Sequence, residues 1–394
     1  MNPTVKRLCE IGQQNTRTIL GLMSGTSLDG LDLAVCRISG SGKETELSLT
    51  HFTTVPYEDD FRDMIREVFA KKTVDFELLT LLNAHVARVH SRMILTALEA
   101  WTIPPDGIDL IASHGQTVYH APKHQHLRPE FPNATLQIGD GDHLAVMTGI
   151  ITISDFRQKH IAAGGEGAPL ALYGDVLLFT HPHEDRVMIN LGGIANFTWL
   201  PHAGSGQASL VTDSGPGNTL LDAAMRRYFN SPFDDHGIIA RSGHLDQSLL
   251  IKLLEHPYFQ APVPKTTGPE VFNLAYLDAC LADLPSKPPP ADQIATLTYF
   301  TAISLTDCIK NEVPDWITAK YYASGGGAEN PELMRLIAVG LPGCEVEKIE
   351  KLGIPSGAKE AVLFAVLANE SVAGGQTDFS PHPSVCTGKI SLPK

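Results

Sequence analysis

The feature that most restricts the fold of this chain is a strand, a glycine-rich turn and a second strand, an order that occurs twice. In the first copy, apolar residues 18–20 and the alternating residues 31–36 flank a small polar turn. In the second copy, residues 186–190 precede a Gly-Gly turn and a further apolar stretch within residues 191–200. An apolar run, a small-residue turn and an alternating run indicate a β-hairpin. The sequence therefore predicts two glycine-turn hairpins in separate parts of the chain.

Each predicted hairpin is followed by a third strand and then by helices. The third strands are predicted at residues 46–55 and 208–212, and long helices at residues 75–101, 291–312 and 357–373. Apolar residues at helical spacing indicate these helices. Halves that repeat the same order of elements are typical of an internal duplication. We therefore expect an α/β protein with two related lobes and a cleft between them.

The length of the chain allows two lobes of ordinary size. It has 394 residues, enough for two domains that each bury a core. We assign residues 1–155 to a first lobe with the first hairpin, and residues 156–374 to a second lobe with the second hairpin. The last helix is expected to belong to the second lobe or to pack back on the first. Residues 375–394 are predicted to form a polar tail.

The composition is that of a soluble globular protein, with 43% apolar and 19% charged residues. The formal net charge of −14 argues against nucleic acid or an anionic membrane as a partner, since both attract a basic face. The six cysteines include no C-x-x-C pair, and neither a signal peptide nor a membrane span is visible. We therefore expect a cytoplasmic enzyme.

The first turn has the chemistry of a phosphate cradle. Residues 24–27, Ser-Gly-Thr-Ser, offer backbone N–H groups and three hydroxyls, and Asp29 and Asp32 stand beside them. Such groups bind phosphate oxygens, and a neighbouring carboxylate can hold the shell of a Mg²⁺ ion. The segment has no Walker pattern, so a polar turn without a ligand remains the alternative reading of this stretch alone.

Polar residues follow two further predicted strands. The strand at residues 108–112 runs into S-H-G-Q-T-V-Y-H, and the strand at residues 150–153 leads to Asp155, Arg157 and a glycine-rich loop. Ligand groups of α/β proteins lie at such strand ends. Asp155 could be a general base facing a hydroxyl or water, or it could pair with Arg157 or cap a turn. The spacing of the histidines at 120, 124 and 126 fits no standard zinc pattern.

A third glycine-rich turn, residues 324–331, connects a predicted strand to a helix that begins at Pro331. Glycines leave room for a flat ring against the backbone, and the N–H groups at a helix start bind phosphate. Together with the two hairpin turns, this turn predicts a nucleotide bound between the two lobes.

These motifs resemble those of the anhydro-N-acetylmuramic acid kinase family, within the sugar kinase, heat-shock ATPase and actin superfamily. The resemblance spans nearly the whole chain. The matching motifs, in the order of the family, are M-S-G-T-S-L-D-G-L-D (23–32), S-H-G-Q-T-V-Y-H (113–120), T-L-Q-I-G-D (135–140), D-F-R (155–157), A-G-G-E-G-A-P-L (163–170), N-L-G-G-I-A-N (190–196), D-S-G-P-G-N (213–218), P-K-T-T-G-P-E-V-F-N (264–273) and G-G-G-A-E-N-P (325–331).

The resemblance implies two duplicated ribonuclease-H-like lobes, of the actin and hexokinase type, with a nucleotide cleft between them. It implies a cytoplasmic, homodimeric enzyme of cell-wall recycling that hydrolyses the 1,6-anhydro bridge of anhydro-N-acetylmuramate. The freed O6 would be phosphorylated with ATP and Mg²⁺. The partners would thus be ATP and an anhydro amino sugar.

The resemblance also implies roles for individual residues. The catalytic residues would be Asp155, as the base, and Arg157, and the metal would lie near Asp29 and Glu360. The residues implied for ATP are Gly25, Thr26, Ser27, Leu28, Asp29, Gly30, Leu31, Asp32, Gly192, Gly193, Asn196, Asp213, Gly215, Gly325, Gly326, Gly327 and Asn330. Those implied for the sugar are His114, Gln116, Thr117, Gln137, Gly139 and Asp140.

Three positions depart from the pattern of the family. Glu166 stands where the family usually has Gln, and Ala358 and Lys359 stand where it usually has acidic residues. These departures bear on the substrate more than on the fold. Two alternatives therefore stay open from the sequence: a kinase for another anhydrosugar such as levoglucosan, and a nucleotide-gated binding module of the same superfamily.

Overall fold

The computed structural model describes residues 1–168, 170–374, 379 and 382–394. The contacts of the chain divide it into two compact units. The first unit contains Met1–Phe179 and Gly353–Lys394, and the second contains Thr180–Leu352.

After a first helix, the first unit has three strands in a row and continues with further helices and strands. Its elements up to residue 179 are α1 (Pro3–Gln13), β1 (Thr16–Ser24), β2 (Gly30–Ser39), β3 (Glu46–Pro56), α2 (Asp59–Val68), α3 (Phe76–Ala100), β4 (Leu110–Ala121), α4 (Lys123–His126), β5 (Ala134–Ile138), α5 (Gly141–Thr148), β6 (Thr152–Ser154), α6 (Arg157–Ala162) and α7 (Ala171–Phe179).

The second unit repeats the opening order of three strands, after which the chain returns to the first unit. The elements of the second unit are β7 (Arg186–Leu191), β8 (Ile194–Leu200), β9 (Leu210–Pro216), α8 (Asn218–Phe229), α9 (Ile238–Ser242), α10 (Gln247–Leu254), α11 (Leu274–Ala282), α12 (Pro290–Glu312), β10 (Lys320–Ser324), α13 (Pro331–Gly340) and β11 (Val346–Lys348). The returning segment forms α14 (Lys359–Ala373) and β12 (Lys389–Ser391).

Five strands of the seven-stranded first sheet have the same topology as the five-stranded second sheet. The first has the strand order β12-β6-β4-β1-β2-β3, with β5 paired to β4, and the second has the order β11-β10-β7-β8-β9. In each, the first three strands are antiparallel, the fourth core strand runs parallel to the first, and the next runs parallel to the fourth. The predicted duplication of an α/β unit is confirmed by this shared order.

The core of the first unit is formed by the sheet and the helices on its two faces. Strand β1 is almost entirely buried from Ile19 onward, and α14, apolar over most of its length, packs on it. The helix lies so close to the strand that a Cβ on Gly21 would be 1.9 Å from the carbonyl oxygen of Ala361. Only glycine fits this approach, which explains the residue at the centre of β1. Helix α3 contributes Val86 and Ile94 to the same core.

The unit boundary and the C-terminus differ from the sequence prediction. The boundary lies after Phe179 because α6 and α7 belong to the first unit, where the Asp175 carboxylate of α7 is 2.9 Å from the Lys359 ammonium of α14. The segment predicted as a polar tail is not all tail, since β12 pairs antiparallel with β6, with Lys389 opposite Ser154. Residues 375–378, 380 and 381 of that segment lie outside the described residues.

Strand β4 is also longer than predicted. It continues to Ala121 because its polar second half pairs with β5, with a register shift between Thr117 and Tyr119. In the described part of the chain, no helix is both long and apolar enough to cross a membrane.

Candidate active site

The turn between β1 and β2 is shaped by its own short hydrogen bonds. The Asp29 carboxylate accepts from the Ser27 hydroxyl at 2.8 Å and from the Gly30 N–H at 3.0 Å. The Leu28 N–H donates to the Gly25 carbonyl at 3.3 Å, and the buried Leu28 side chain anchors the turn with φ +57°. Thr26 and Ser27 are left exposed at the tip. The turn therefore presents hydroxyl and backbone groups outward from a fixed base.

Asp32 lies at the start of β2, beside the turn. Partial burial raises the pKa of its carboxyl, the nearby Asp29 raises it further, and a hydrogen bond from Thr54 opposes both. The Thr54 hydroxyl donates to Asp32 Oδ1 at 2.5 Å. Of the other residues implied for ATP in this turn, Leu31 is a buried core residue and Gly30 packs against the Val55 carbonyl.

Gln116, implied for the sugar, lies beneath this turn and is 1% exposed. Its Oε1 accepts from the Ser24 hydroxyl at 2.5 Å, and its Nε2 donates to the carbonyls of Thr117 at 3.1 Å and Gly25 at 3.4 Å. The Gln116 amide thus makes its hydrogen bonds to the base of the hairpin and to its own strand.

His114 is a buried neighbour of Arg157. Its Nε2 accepts from Arg157 Nε at 3.0 Å, so its Nδ1 carries the proton and donates to the Gly115 carbonyl at 2.9 Å. Burial, assisted by the Arg157 charge, lowers the pKa of His114 to about 3. The imidazole is therefore neutral and holds the guanidinium in place.

The other residues implied for the sugar divide into two groups. Gln137 donates to the hydroxyls of Thr117 at 3.1 Å and Thr135 at 2.8 Å, while its buried Oε1 has no hydrogen-bond partner among the described residues. Gly139 and Asp140 have structural contacts instead. The Gly139 N–H donates to Asn83 at 3.0 Å, and Asp140 caps the start of α5.

Asp155 directly follows β6 and has φ +54°, an uncommon backbone conformation for a residue other than glycine. Its Oδ2 accepts from the Lys389 ammonium at 2.5 Å, and its side chain keeps 26% of its surface exposed. Lys389 reaches it because β12 pairs with β6. The described contacts therefore pair Asp155 with Lys389 rather than with Arg157.

Arg157 begins α6 and connects three parts of the first unit. Besides its bond to His114, its Nη1 donates to the Gly167 carbonyl at 2.6 Å. Burial lowers the pKa of Arg157, and the charge of Glu360 opposes the shift. Burial likewise raises the pKa of Glu360, opposed by Arg157 and reinforced by Asp32. The Glu360 side chain nevertheless keeps access to solvent.

Two of the three departures from the family pattern, Glu166 and Lys359, have charged or titratable neighbours in the structure. Glu166 Oε1 lies 3.3 Å from His124 Nδ1, at the edge of the loop that follows α6. Lys359 pairs with the buried Asp175, so its charge is directed into the first unit. Pro169, the residue at which the sequence predicts a helix start, lies outside the described residues.

The metal residues implied by the sequence are not part of a larger ligand cluster. Within the described residues, no group of three or more His, Cys, Asp and Glu side chains is placed to hold a metal ion. Asp29 and Glu360 both keep solvent access. Mg²⁺ is commonly held by one or two carboxylates, with phosphates and water completing its shell. Each of the two side chains, taken singly, has the chemistry of a ligand in that kind of site.

In the second unit, three glycine-rich turns meet. The Gly217 N–H donates to the Gly193 carbonyl at 2.9 Å, and the Asn218 N–H donates to the Gly192 carbonyl at 2.8 Å. The Asn218 amide also donates to the Leu191 carbonyl at 3.1 Å. These bonds join the β7–β8 turn to the start of α8.

The turn after β10 packs on the same place. Gly325 has φ +87°, and a Cβ there would be 2.8 Å from the Leu191 carbonyl. A Cβ on Gly327 would be 2.8 Å from the Leu191 side chain, whereas one on Gly326 would meet nothing closer than Asn218 Nδ2 at 3.9 Å. Gly325 and Gly327 are thus needed for packing, and Gly326 faces open space.

The remaining residues implied for ATP are also in the second unit, which contains these glycine-rich turns. Asn330 caps α13 by accepting from two backbone N–H groups. Asn196 is opposite Asp213 at a bulge between β8 and β9. Asp213 Oδ2 accepts from the Thr267 N–H at 2.9 Å. Burial raises the pKa of Asp213 to about 6, opposed by that bond and reinforced by a nearby glutamate. Gly215 packs against the side chains of Phe259 and Ser304.

Sequence reasoning missed several residues that the structure brings to the site. Lys389 was placed in the tail, although Lys389-Ile390-Ser391 after a glycine could have been read as a short edge strand. Tyr57 contacts Ser24 at the base of the first hairpin, and His90 contacts Tyr57. Both pairings join residues far apart in the sequence, so neither leaves a local signal.

Comparison with known proteins agrees with the motifs. Residues 17–382 match the family described as anhydro-N-acetylmuramic acid kinase. The anhydro-N-acetylmuramic acid kinase of Pseudoalteromonas atlantica (strain T6c / ATCC BAA-1087) is 49% identical over 401 residues and covers 100% of both chains. The protein of that name from Caldanaerobacter subterraneus subsp. tengcongensis is 36% identical, over 98% of this chain and 100% of its own.

Among solved structures, the activator of the 2-hydroxyisocaproyl-CoA dehydratase from Clostridium difficile with bound ADPNP aligns with 90% of this chain and 95% of its own, at 13% identity and a TM-score of 0.42. A ROK family glucokinase from Streptomyces griseus in complex with glucose and AMPPNP aligns with 89% of this chain and 98% of its own, at 10% identity and a TM-score of 0.36. The family match and the full-length relatives decide the assignment: the chain belongs to the anhydro-N-acetylmuramic acid kinase family.

Proposed function

We propose that this chain is an ATP-dependent kinase that opens the 1,6-anhydro ring of anhydro-N-acetylmuramic acid and phosphorylates O6. The product would be N-acetylmuramate 6-phosphate, and the role would be cell-wall recycling. The observation that carries the proposal is the full-length match to relatives of that name, two of which are 49% and 36% identical. The span that matches the family, residues 17–382, includes Asp155.

Asp155 is the proposed general base. A partly exposed carboxylate at the end of a buried strand is suited to take a proton from water. Water oxygen would bond to C1 of the sugar while the C1–O6 bond breaks, and the water proton would pass to Asp155. The released O6 would take the γ-phosphoryl group of ATP, leaving ADP. Lys389 occupies Oδ2, so Oδ1 is the oxygen proposed to face the water.

Attack by water on the side opposite to the departing oxygen inverts the anomeric centre, as in inverting glycosidases. The first-formed sugar should therefore have the anomeric configuration opposite to that of the anhydro bridge. Arg157, held by His114 and the Gly167 carbonyl, is proposed to balance negative charge near the reacting groups.

The ATP contacts are proposed from the turns. The turn of residues 25–29, with Thr26 and Ser27 exposed at its tip, would bind phosphate oxygens through N–H and hydroxyl groups, and Gly325–Gly327 would lie against the adenosine. Phosphoryl transfer depends mainly on positioning and charge neutralisation, which backbone amides supply without moving. The carboxylates of Asp29 and Glu360 would hold Mg²⁺, which when bound neutralises phosphate charge.

Two further attributes are proposed from the family resemblance, a cytoplasmic location and a homodimer. The molar mass in solution, measured by light scattering at several protein concentrations, tests the second. A monomer at all concentrations would contradict it.

The central experiment measures ADP release with and without anhydro-N-acetylmuramic acid and identifies the product. We expect ADP only when the sugar is present, and a 6-phosphate whose first-formed anomer is inverted by NMR. In H₂¹⁸O, the label should be at C1 and absent from the phosphate at early times. Comparable turnover of levoglucosan, which lacks the N-acetyl and lactyl groups, would refute the assigned substrate. Sugar-independent ATP hydrolysis would refute the coupled reaction.

A further inference from the structure

A line of buried polar side chains runs from helix α3 to the base of the first glycine turn. His90 Nε2 lies 2.8 Å from the Tyr57 hydroxyl, which is 2.7 Å from Ser24 Oγ. Ser24 Oγ is 2.5 Å from Gln116 Oε1, and Gln116 Nε2 is 3.4 Å from the Gly25 carbonyl. All four side chains are at most 5% exposed. The line therefore connects the core to the first residue of the turn.

The protons along this line have one consistent direction. Gln116 Oε1 can only accept, so the Ser24 hydroxyl donates to it, and the Ser24 oxygen accepts from the Tyr57 hydroxyl. The Tyr57 oxygen must then accept from His90 Nε2–H. That tautomer leaves His90 Nδ1 as a bare acceptor, and Nδ1 has no hydrogen-bond partner among the described residues. Burial also lowers the pKa of His90 to about 3, so the ring carries a single N–H.

We propose that His90, Tyr57, Ser24 and Gln116 are positioning residues that hold the first glycine turn in the shape that binds the phosphates of ATP. The inference rests on the proposed function, because it takes the turn of residues 25–32 as the phosphate site. Each of the four side chains is hydrogen-bonded to the next, and a connected polar network in an apolar core favours one geometry. A turn that is already held in its binding shape gives the ligand a higher affinity, because the turn does not have to be ordered when the ligand binds. Ser24 is the last residue of β1, so the network acts at the point where the strand becomes the turn.

Tyr57→Phe tests the proposal with the smallest change. It removes the central hydroxyl and keeps the ring against Phe61 and His90, whose ring centroids are 4.8 and 5.9 Å away. We expect the KM for ATP and the Kd of a non-hydrolysable ATP analogue to rise about tenfold. The KM for the sugar and kcat should change by less than about twofold.

The matched control is Tyr276→Phe in the second unit. The Tyr276 hydroxyl also donates one hydrogen bond, to the backbone carbonyl of Leu253, far along the chain from the turns. Tyr276→Phe should lower the melting temperature similarly and leave the KM for ATP unchanged. In the Ser24→Ala and Tyr57→Phe double variant, the loss of affinity should not exceed that of the worse single variant, because both break one network.

A second pair keeps the test decisive if Tyr57→Phe folds poorly. His90→Leu removes the donor at the far end and should weaken the ATP analogue, whereas His90→Gln retains an N–H donor and should restore part of the affinity. If the wild type binds the ATP analogue and Tyr57→Phe and His90→Leu bind it with the same affinity, the positioning role is refuted and the proposed function still stands. A wild type that binds no ATP analogue would instead refute the proposed function.

Discussion

The proposed adenosine contact can be tested by adding one methyl group at Gly326. This residue begins the short 3-10 helix Gly326–Glu329, and a Cβ there meets nothing nearer than Asn218 Nδ2 at 3.9 Å. Its backbone is not in the left-handed region that favours glycine, in contrast to Gly325. Alanine therefore fits the protein at position 326, and any loss of binding must come from the ligand.

The expected magnitudes follow from that open space. Gly326→Ala should leave stability unchanged or raise it by about 0.4–1 kcal/mol, because alanine restricts the unfolded chain. A methyl group forced into the space of a bound ring costs about 1–3 kcal/mol. The Kd of an ATP analogue should therefore rise about 5- to 150-fold. Gly326→Ala should therefore weaken binding of the ATP analogue without lowering the stability of the protein.

Gly325→Ala is the matched control. Its φ of +87° costs alanine about 1–2 kcal/mol, and its Cβ would be 2.8 Å from the Leu191 carbonyl in β7. A loss of at least about 2 kcal/mol corresponds to a melting temperature lower by about 4–8 °C. Calorimetric titration and thermal unfolding of both variants separate the two effects. Wild-type affinity in Gly326→Ala would refute the adenosine assignment.

Three further outcomes are expected. Asp155→Asn should lower kcat by at least about 10² while the analogue still binds, and near-normal turnover would reject Asp155 as the base. Lys389→Met should lower kcat about tenfold, whereas Lys389→Arg should retain most of the wild-type kcat, because the ion pair with Asp155 orients the carboxylate. An equal loss of kcat in both variants would contradict this orienting role of Lys389. The lowered pKa of His90, about 3, means that the unfolded chain binds the proton first. Protonation of His90 in the unfolded chain should therefore lower the free energy of unfolding by about 2 kcal/mol between pH 7 and pH 5. Thermal unfolding at the two pH values should show this decrease in the wild type, and His90→Gln should lack this part of it.

The sequence predicted the elements whose signals are local. Both glycine-turn hairpins and their third strands were found, because alternation and turn residues are encoded within a few positions. The full extent of β4 was not found. Its second half, S-H-G-Q-T-V-Y-H, looks like a loop of functional residues until β5 pairs with it. The same pairing buries Gln116, so a motif that suggested ligand contact also supplies a core residue.

The side-chain contacts at the site that could not be predicted are those between residues far apart in the sequence. Asp155 was identified from its place at a strand end, but its partner Lys389 is 234 residues away and arrives through the pairing of β12 with β6. Ser24 and Gln116 are 92 residues apart. No periodicity links such positions, because each contact depends on which strands become neighbours in the sheet. Candidate ligand residues can therefore be proposed from local chemistry, whereas the residues that hold them in place emerge only once the strand order is known.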